Sequence, residues 1–419
     1  MEAASTAGMR MKTGGGTPTP AEAPIKRRRR RQKKNRSGGT ASTALLSTTP
    51  FDLTFLMIVL ILLVTGIIMM FSAGYAWAIF EGQDGTYYVK RQCLMAGIGI
   101  LGMAVASKID YHRYRKGWFA LGVFGFAVLL CLLLLTPLGK AHNGAKRWLE
   151  IPGVTEFQPS EIMKLAIIVL FAYLISVNYS RMKTIKYGII PYFLFLGVVA
   201  GLMMLQPHLS GTILICAIGL SMVFVGGAKI NHILVIGIVG VAALVGVVFL
   251  LIELKGISYF ETRINIWLDP FSDPTGDSWQ TQNSLIAIGS GGIFGLGLGN
   301  SRQKFLYLPE SKNDFVFAVV CEELGLVGAL MVIILFALFI FRGFYIASKA
   351  PDKFGMMLVV GITIQIGLQA LLNIAVVTNT IPNTGISLPF FSYGGTALIM
   401  QLVEMGLILN VSRQSVVKE

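Results

Sequence analysis

Ten stretches of mostly apolar residues recur along this chain, near 53–73, 92–107, 118–137, 161–177, 188–205, 209–227, 230–252, 315–341, 355–377 and 388–410. Each is close to the roughly 20 helical residues that cross the hydrocarbon core of a bilayer. In lipid, only helices and closed barrels satisfy every backbone polar group. A barrel would need short segments of alternating polarity, and the chain has none. The fold class that follows is an all-α polytopic membrane protein of about ten transmembrane helices. Composition agrees: 54% of residues are hydrophobic and 13% charged, against about a quarter charged in soluble domains.

The net charge of +14 is uneven, because "KRRRRRQKKNR" (26–36) alone carries nine positive charges. Such a block repels itself and is attracted to anionic lipid or to nucleic acid. No folded basic module accompanies it, so the expected partner is the membrane and not nucleic acid. Residues 1–50 are expected to be a disordered, basic cytoplasmic tail, 51–413 the membrane domain and 414–419 a short cytoplasmic tail. With the basic tail inside, Lys and Arg cluster in short inner loops, among them Lys108, Arg113, Arg115, Arg181, Lys183, Lys349 and Lys353, as the positive-inside rule requires. Three longer polar stretches then fall outside: 138–160, 254–314 and 378–394. The second is a large loop in which "QTQNSLIAIGSGGIFGLGLG" (280–299) reads as a re-entrant or interfacial helix followed by a glycine-rich turn. The four cysteines lie in or at the edges of apolar runs and read as small hydrophobes.

The outer stretches hold the candidate chemistry. Arg147 and Trp148 pair a cation with an aromatic ring. That pairing serves as an interfacial anchor or as a phosphate cradle beside a stacking surface. Glu161 and Lys164 form an i, i+3 pair at the head of a span, and a lysine at membrane depth implies a polar cavity. Arg263, Asp269, Asp273 and Asp277 lie in the long loop, where "DP" and "DPTGD" are turn chemistry. "LPESKNDFVFAVVCEELG" (308–325) brings four acids. Asp314 occupies an expected N-cap position, where the helix dipole would keep it ionised. Glu322 and Glu323 lie about 12 Å into the span at 1.5 Å per residue and need partners, for which Lys164 and Arg263 are the natural candidates. The last stretch, 379–399, is broken by Pro382, Pro389 and several glycines, which exposes backbone N–H groups or simply kinks the helix.

"NGAKRWLE…FQPSEIMKLA", "DSWQTQNSLIAIGSGGIFGLGLGNSRQKFLYLPE", "NDFVFAVVCEELGLVG" and "GISLPFFSYGGTALI" occur in that order. Together they resemble the SEDS family of bacterial cell-wall polymerases, and the third and second segments look most like its FtsW/SpoVE branch. The resemblance spans roughly 51–413 and implies a peptidoglycan glycosyltransferase of the bacterial cytoplasmic membrane, multi-pass, with both termini cytoplasmic. Such enzymes polymerise lipid II on polyprenyl-pyrophosphate-linked glycan at the outer face. They work with a class B penicillin-binding protein, and in division with other divisome proteins. The family's essential acid carries over to Asp314. Arg147, Trp148 and Lys164 match its motifs as substrate-binding positions, and Arg263, Glu310 and Ser392 are further candidates. Two positions depart from the pattern. Asn313 stands where threonine is usual and Asn383 where a small apolar residue is usual, which implies altered tuning.

The implied reaction is an inverting transfer in which a carboxylate, Asp314, acts as base or positions the acceptor hydroxyl. Cations, Lys164 and Arg147 with Arg263 third, meet the leaving diphosphate. A divalent cation (Mg or Mn) could share that role, although the sequence shows no ligand set. The rival function is a lipid II flippase, which needs a cavity open to both faces. The clustering of candidate groups on one side favours the polymerase.

Overall fold

The computed structural model describes residues 51–142, 145–149, 157–206, 208–235, 259–273 and 278–415, with single positions at 237, 238, 240, 246 and 276. The tail 1–50, Asp277, most of the apolar run 230–252 and residues 416–419 lie outside the described residues.

Helix α1 (Leu53–Phe80) is opened by Asp52, whose side chain accepts the Phe55 amide; α2 (Tyr87–Lys108) follows after a tight tip, then α3 (Gly117–Leu133). Strands β1 (Gly139–His142) and β2 (Ala145–Leu149) form an antiparallel hairpin that pairs Lys140 with Trp148. Leu149 continues the ladder to Phe157, with amide-to-carbonyl bonds of 2.8 and 2.9 Å. Next come α4 (Pro159–Asn178), the single turn α5 (Ile185–Gly188), α6 (Ile190–Leu205) and α7 (Leu209–Val225). The long loop carries α8 (Tyr259–Leu268) and α9 (Trp279–Gly291). Three long helices close the chain: α10 (Val316–Ser348), α11 (Lys353–Val377) and α12 (Gly395–Gln414).

Among the described residues, seven helices are long and apolar enough to cross a membrane, and α3 and α7 are shorter apolar helices. These account for nine of the ten expected runs; the other, 230–252, begins as a helix at 230–235 and then leaves the described residues. Two thirds of the most apolar window of α4 and of α11 is buried, against one third for α2 and α10. So α4 and α11 form the centre of the body, and the other two face the surroundings. Short connections make neighbours antiparallel. The hairpin, α8, α9 and the loop 378–394 therefore gather at one end, called here the hairpin end. Ionic locks close the opposite end: Arg342 binds Asp52 at 2.7 Å, and Tyr111 OH donates to Asp352 at 3.0 Å.

Glu322 and Glu323 do not pair with Lys164 or Arg263. The loop 299–304 folds back onto them. Glu322 accepts the amides of Arg302 and Gln303 and the hydroxyl of Ser301. Glu323 accepts Lys304 Nζ at 2.9 Å, Ser72 Oγ at 2.6 Å and the amides of Gly299 and Ser301. Both glutamates and Lys304 are buried, and a buried charge set of this kind persists only when paired and hydrogen-bonded. The loop reaches them because α10 is broken at Gly325, whose φ of 66° and ψ of −165° are open only to glycine. Main-chain bonds stitch Leu296 and Gly297 to the carbonyls of Glu322 and Glu323, and Leu326 and Val327 to those of Gly292 and Ile293. A Cβ at Gly325 would stand 2.3 Å from the Gly295 nitrogen.

Candidate active site at the hairpin end

The turn before α10 carries the central acid. Glu310 takes a positive φ of 54°, and its carbonyl accepts the amides of Asn313 at 2.9 Å and Phe315 at 3.2 Å. This closes a tight loop directly ahead of the helix. The helix N-cap is Phe315, with no side-chain cap bond. Asp314 therefore does not spend its carboxylate on the helix end, contrary to the expectation from sequence. It is half-buried. Burial first, and the nearby Glu310 carboxylate second, push its carboxyl up to about 7, while the Arg147 guanidinium pulls the other way. The departure at 313 has a visible role, because Asn313 Nδ2 donates to Glu310 Oε2 at 2.5 Å.

The broken stretch between α11 and α12 faces this turn. Asn373 of α11, fully buried, donates from Nδ2 to the carbonyl of Asp314 at 2.7 Å and to that of Ile386 at 2.6 Å. Gly385 (φ 67°) brings backbone so close that a Cβ there would lie 3.2 Å from Asp314 Oδ2. Ser392 spends its hydroxyl on main chain, donating to the Asn313 carbonyl and accepting the Leu388 amide, each at 2.7 Å. It shapes the turn from behind.

Arg147 links the acid to a second cation. Asp314 senses Arg147, and so does His208, which also senses Lys164. His208, buried between α6 and α7, is pushed down to about 3 by desolvation and then by these two cations, so it stays neutral. Lys164 pairs with Glu161 at 2.8 Å and donates to Gln369 Oε1 at 3.1 Å; Gln369 in turn donates to Ser387. Both members of the pair are nearly inaccessible, so a membrane-depth lysine does sit in an internal polar chain. Trp148 stands next to Arg147 on β2 and is half-buried.

Arg263 of α8 donates to the Asn383 carbonyl, and Asn383 Nδ2 donates to Gln280 Oε1 at 3.0 Å. The second departure, Asn383, thus joins α8 and α9 through one side chain and one carbonyl. Trp267 and Asn379 exchange reciprocal bonds of 3.1 Å beside it. Asp269 and Asp273 lie in the turn after α8, with Asp269 accepting the Phe271 amide. The structure brings Asp314, Glu310, Arg147 and, through His208, Lys164 to one place, and sets Arg263 and Ser392 as braces for its rim. His208, Gln369 and Asn373 were missed. The signal was available for the last two: two amides four residues apart inside the apolar run 355–377 mark a polar helix face.

A family model described as "Cell cycle protein", FtsW/RodA/SpoVE, matches residues 53–416. The chain belongs to the FtsW/RodA/SpoVE family. It is similar to stage V sporulation protein E of Bacillus subtilis, 41% identical over 88% of this chain and 98% of that protein. It is similar to a probable peptidoglycan glycosyltransferase FtsW of Geobacter sp., 39% identical over 86% of this chain and 96% of that one. In three dimensions it resembles a chain from a solved structure described as structural coordination of polymerization and crosslinking by a peptidoglycan synthase complex. There the TM-score is 0.71 at 28% identity, over 87% of this chain and 98% of that one. The rod shape determining protein RodA of Thermus thermophilus matches with a TM-score of 0.63 at 26% identity, over 87% and 97%. The family is one of multi-pass membrane proteins, in agreement with the seven long apolar helices described above.

Among the described residues no group of three or more His, Cys, Asp and Glu side chains could hold a metal ion. Glu310 and Asp314 put two carboxylates at one place, short of a ligand set, and no step below runs through a metal.

Proposed function

We propose that this chain is a peptidoglycan glycosyltransferase that polymerises lipid II into glycan strands at the outer face of the bacterial cytoplasmic membrane, with inversion at the anomeric carbon. The hairpin end then faces outward and both termini face the cytoplasm. The acceptor is a sugar hydroxyl of one lipid II, and the donor is the growing strand on its polyprenyl diphosphate. The hydroxyl oxygen bonds to the anomeric carbon as the bond from that carbon to diphosphate breaks, and the hydroxyl proton passes to Asp314. Arg147 and Lys164 are placed to meet the charge developing on the diphosphate, and neutral His208 beside them adds no competing charge. Trp148 offers a ring against sugar or polyprenyl.

The observation that carries this assignment is the Asp314 carboxyl itself. It is half-buried and raised to about 7, beside Arg147. A base works best when its pKa lies near the operating pH. A flippase would require a polar route through the body, whereas the candidate groups gather at the hairpin end. The family's relatives supply further support, being named for sporulation and for FtsW peptidoglycan glycosyltransferases. The solved synthase complex supports a crosslinking partner such as a class B penicillin-binding protein, with divisome proteins as the wider context.

The test is to incubate detergent-purified protein with lipid II, with and without a class B penicillin-binding protein and with and without a chelator, and to resolve the glycan products. Polymer from the wild type and none from Asp314→Asn is the expected result. Wild-type-like polymer from Asp314→Asn would overturn the role given to Asp314. Accumulation of translocated lipid II without polymer would favour the flippase, and loss of polymer with chelator would add a divalent cation to the site.

A further inference from the structure

The turn that carries Asp314 is pinned residue by residue. Ser311 Oγ accepts Trp77 Nε1 of α1 at 2.9 Å. The Lys312 carbonyl accepts the Tyr393 amide at 2.8 Å. The carbonyls of Asn313 and Asp314 accept Ser392 Oγ and Asn373 Nδ2 as described above. The Lys312 side chain adds an ionic tie in a different direction, toward the tip between α1 and α2. Its Nζ lies 3.0 Å from Glu81 Oε1 and donates to Tyr88 OH at 2.5 Å. The same ammonium lies 3.9 Å from the centre of the Tyr88 ring and 5.2 Å from that of Trp77. Tyr88 OH donates onward to Glu81, and the Tyr393 ring packs edge-on against Tyr88 at 4.9 Å.

This is a built cage. Only 12% of the Lys312 side chain is exposed, against 41% for Glu81. Partial burial raises the Glu81 carboxyl, but hydrogen bonds from Tyr88 and Lys312 outweigh it and hold the group below the usual carboxylate range. The pair is therefore charged at neutral pH. An isolated exposed pair would contribute little. Here two ring faces and a phenol fix the ammonium, and the tie runs to a residue two positions from the acid. The groups that face Asp314 with charge are Glu310 on its own turn and Arg147 on β2; Lys312 points the other way.

We infer that Lys312 is a positioning residue for Asp314: its clamp on Glu81 and Tyr88 fixes the turn against the α1–α2 tip, and so fixes the Asp314 carboxyl between Glu310 and Arg147. This rests on the role given to Asp314 above. Releasing the clamp lets the turn lift toward solvent. Water then relieves the desolvation that raises the carboxyl, and the acid loses its register with the acceptor.

The experiment follows the carboxyl stretch of Asp314 by infrared difference titration of the purified full-length chain, with Asp314→Asn to identify the band. Polymerisation of lipid II is measured on the same preparations. We expect the wild-type band to titrate near 7 and that of Lys312→Met to move at least about one pH unit toward acid. Turnover should fall about tenfold at saturating lipid II with KM little changed, as small misplacements of a reacting group do. Lys312→Arg should restore both. The inference is overturned by a Lys312→Met protein with wild-type titration, whether its rate falls or not, or by a wild-type Asp314 that titrates as an ordinary carboxylate. Where Lys312→Met does not fold, Tyr88→Phe removes the phenol and keeps the ring, and its titration decides in the same way. A wild type that makes no polymer defeats the glycosyltransferase reading, while the titration still decides the positioning role.

Discussion

One amide ties α11 to both halves of the site: Asn373 Nδ2 donates to the carbonyls of Asp314 and Ile386, at 2.7 and 2.6 Å. Each hydrogen of that group has its own acceptor, and both acceptors belong to irregular backbone. Replacing Asn373 by Ala leaves two buried carbonyls without a donor, at a cost of about 1–3 kcal/mol each. Asn373→Ala should therefore melt several degrees lower in detergent and polymerise at least tenfold more slowly. Wild-type melting and turnover would show that the two segments hold themselves.

Asp314→Asn should separate activity from stability. The folded carboxyl is raised to about 7, so its contribution to stability is present at low pH and lost as pH rises through 7. The variant, which never ionises, should match wild type near pH 5 and melt higher at pH 8, by on the order of 2 kcal/mol. Polymerisation by the wild type should fall as pH drops below about 7, since the base must be ionised. Melting curves at the two pH values and a pH–rate profile check both signs.

Lys304→Met should be more damaging than its place in a loop suggests. Lys304 and Glu323 are buried partners at 2.9 Å, and removing one partner of such a pair costs about 3–5 kcal/mol. Poor yield and early melting are expected, with partial recovery in Lys304→Met combined with Glu323→Gln. A single variant with wild-type melting would show that the pair is solvated.

Gly325→Ala should uncouple the loop 292–304 from α10. The Cβ meets the Gly295 nitrogen at 2.3 Å and the conformation excludes other residues, so several kcal/mol are at stake. Faster proteolysis within 292–304 and faster amide exchange at Leu296 and Gly297 are the expected readouts.

The helices were legible because lipid leaves the backbone few choices, and long apolar runs report that directly. Asp314, Arg147 and Lys164 were legible as polar groups out of place. What was not legible depends on backbone. The partners of Glu322 are mainly amides of 302 and 303, and amides carry no residue signature. The N-cap at Phe315 went unforeseen because the turn at Glu310 already closes the helix entrance. The hairpin has strands too short for an alternating pattern to register. Asn313 and Asn383 read as departures of unknown effect; in three dimensions each holds a named partner, Glu310 and Gln280.

The glycine that breaks α10 also divides its mechanics. Residues 316–324 are sewn to the loop at the hairpin end, whereas the longer piece beyond Gly325 lies among lipid-facing helices, with Leu326, Val327, Leu330 and Met331 exposed. Tilting of that longer piece, as bilayer thickness varies, is absorbed at the joint. The acid ahead of Val316 keeps its place while the shaft below it leans.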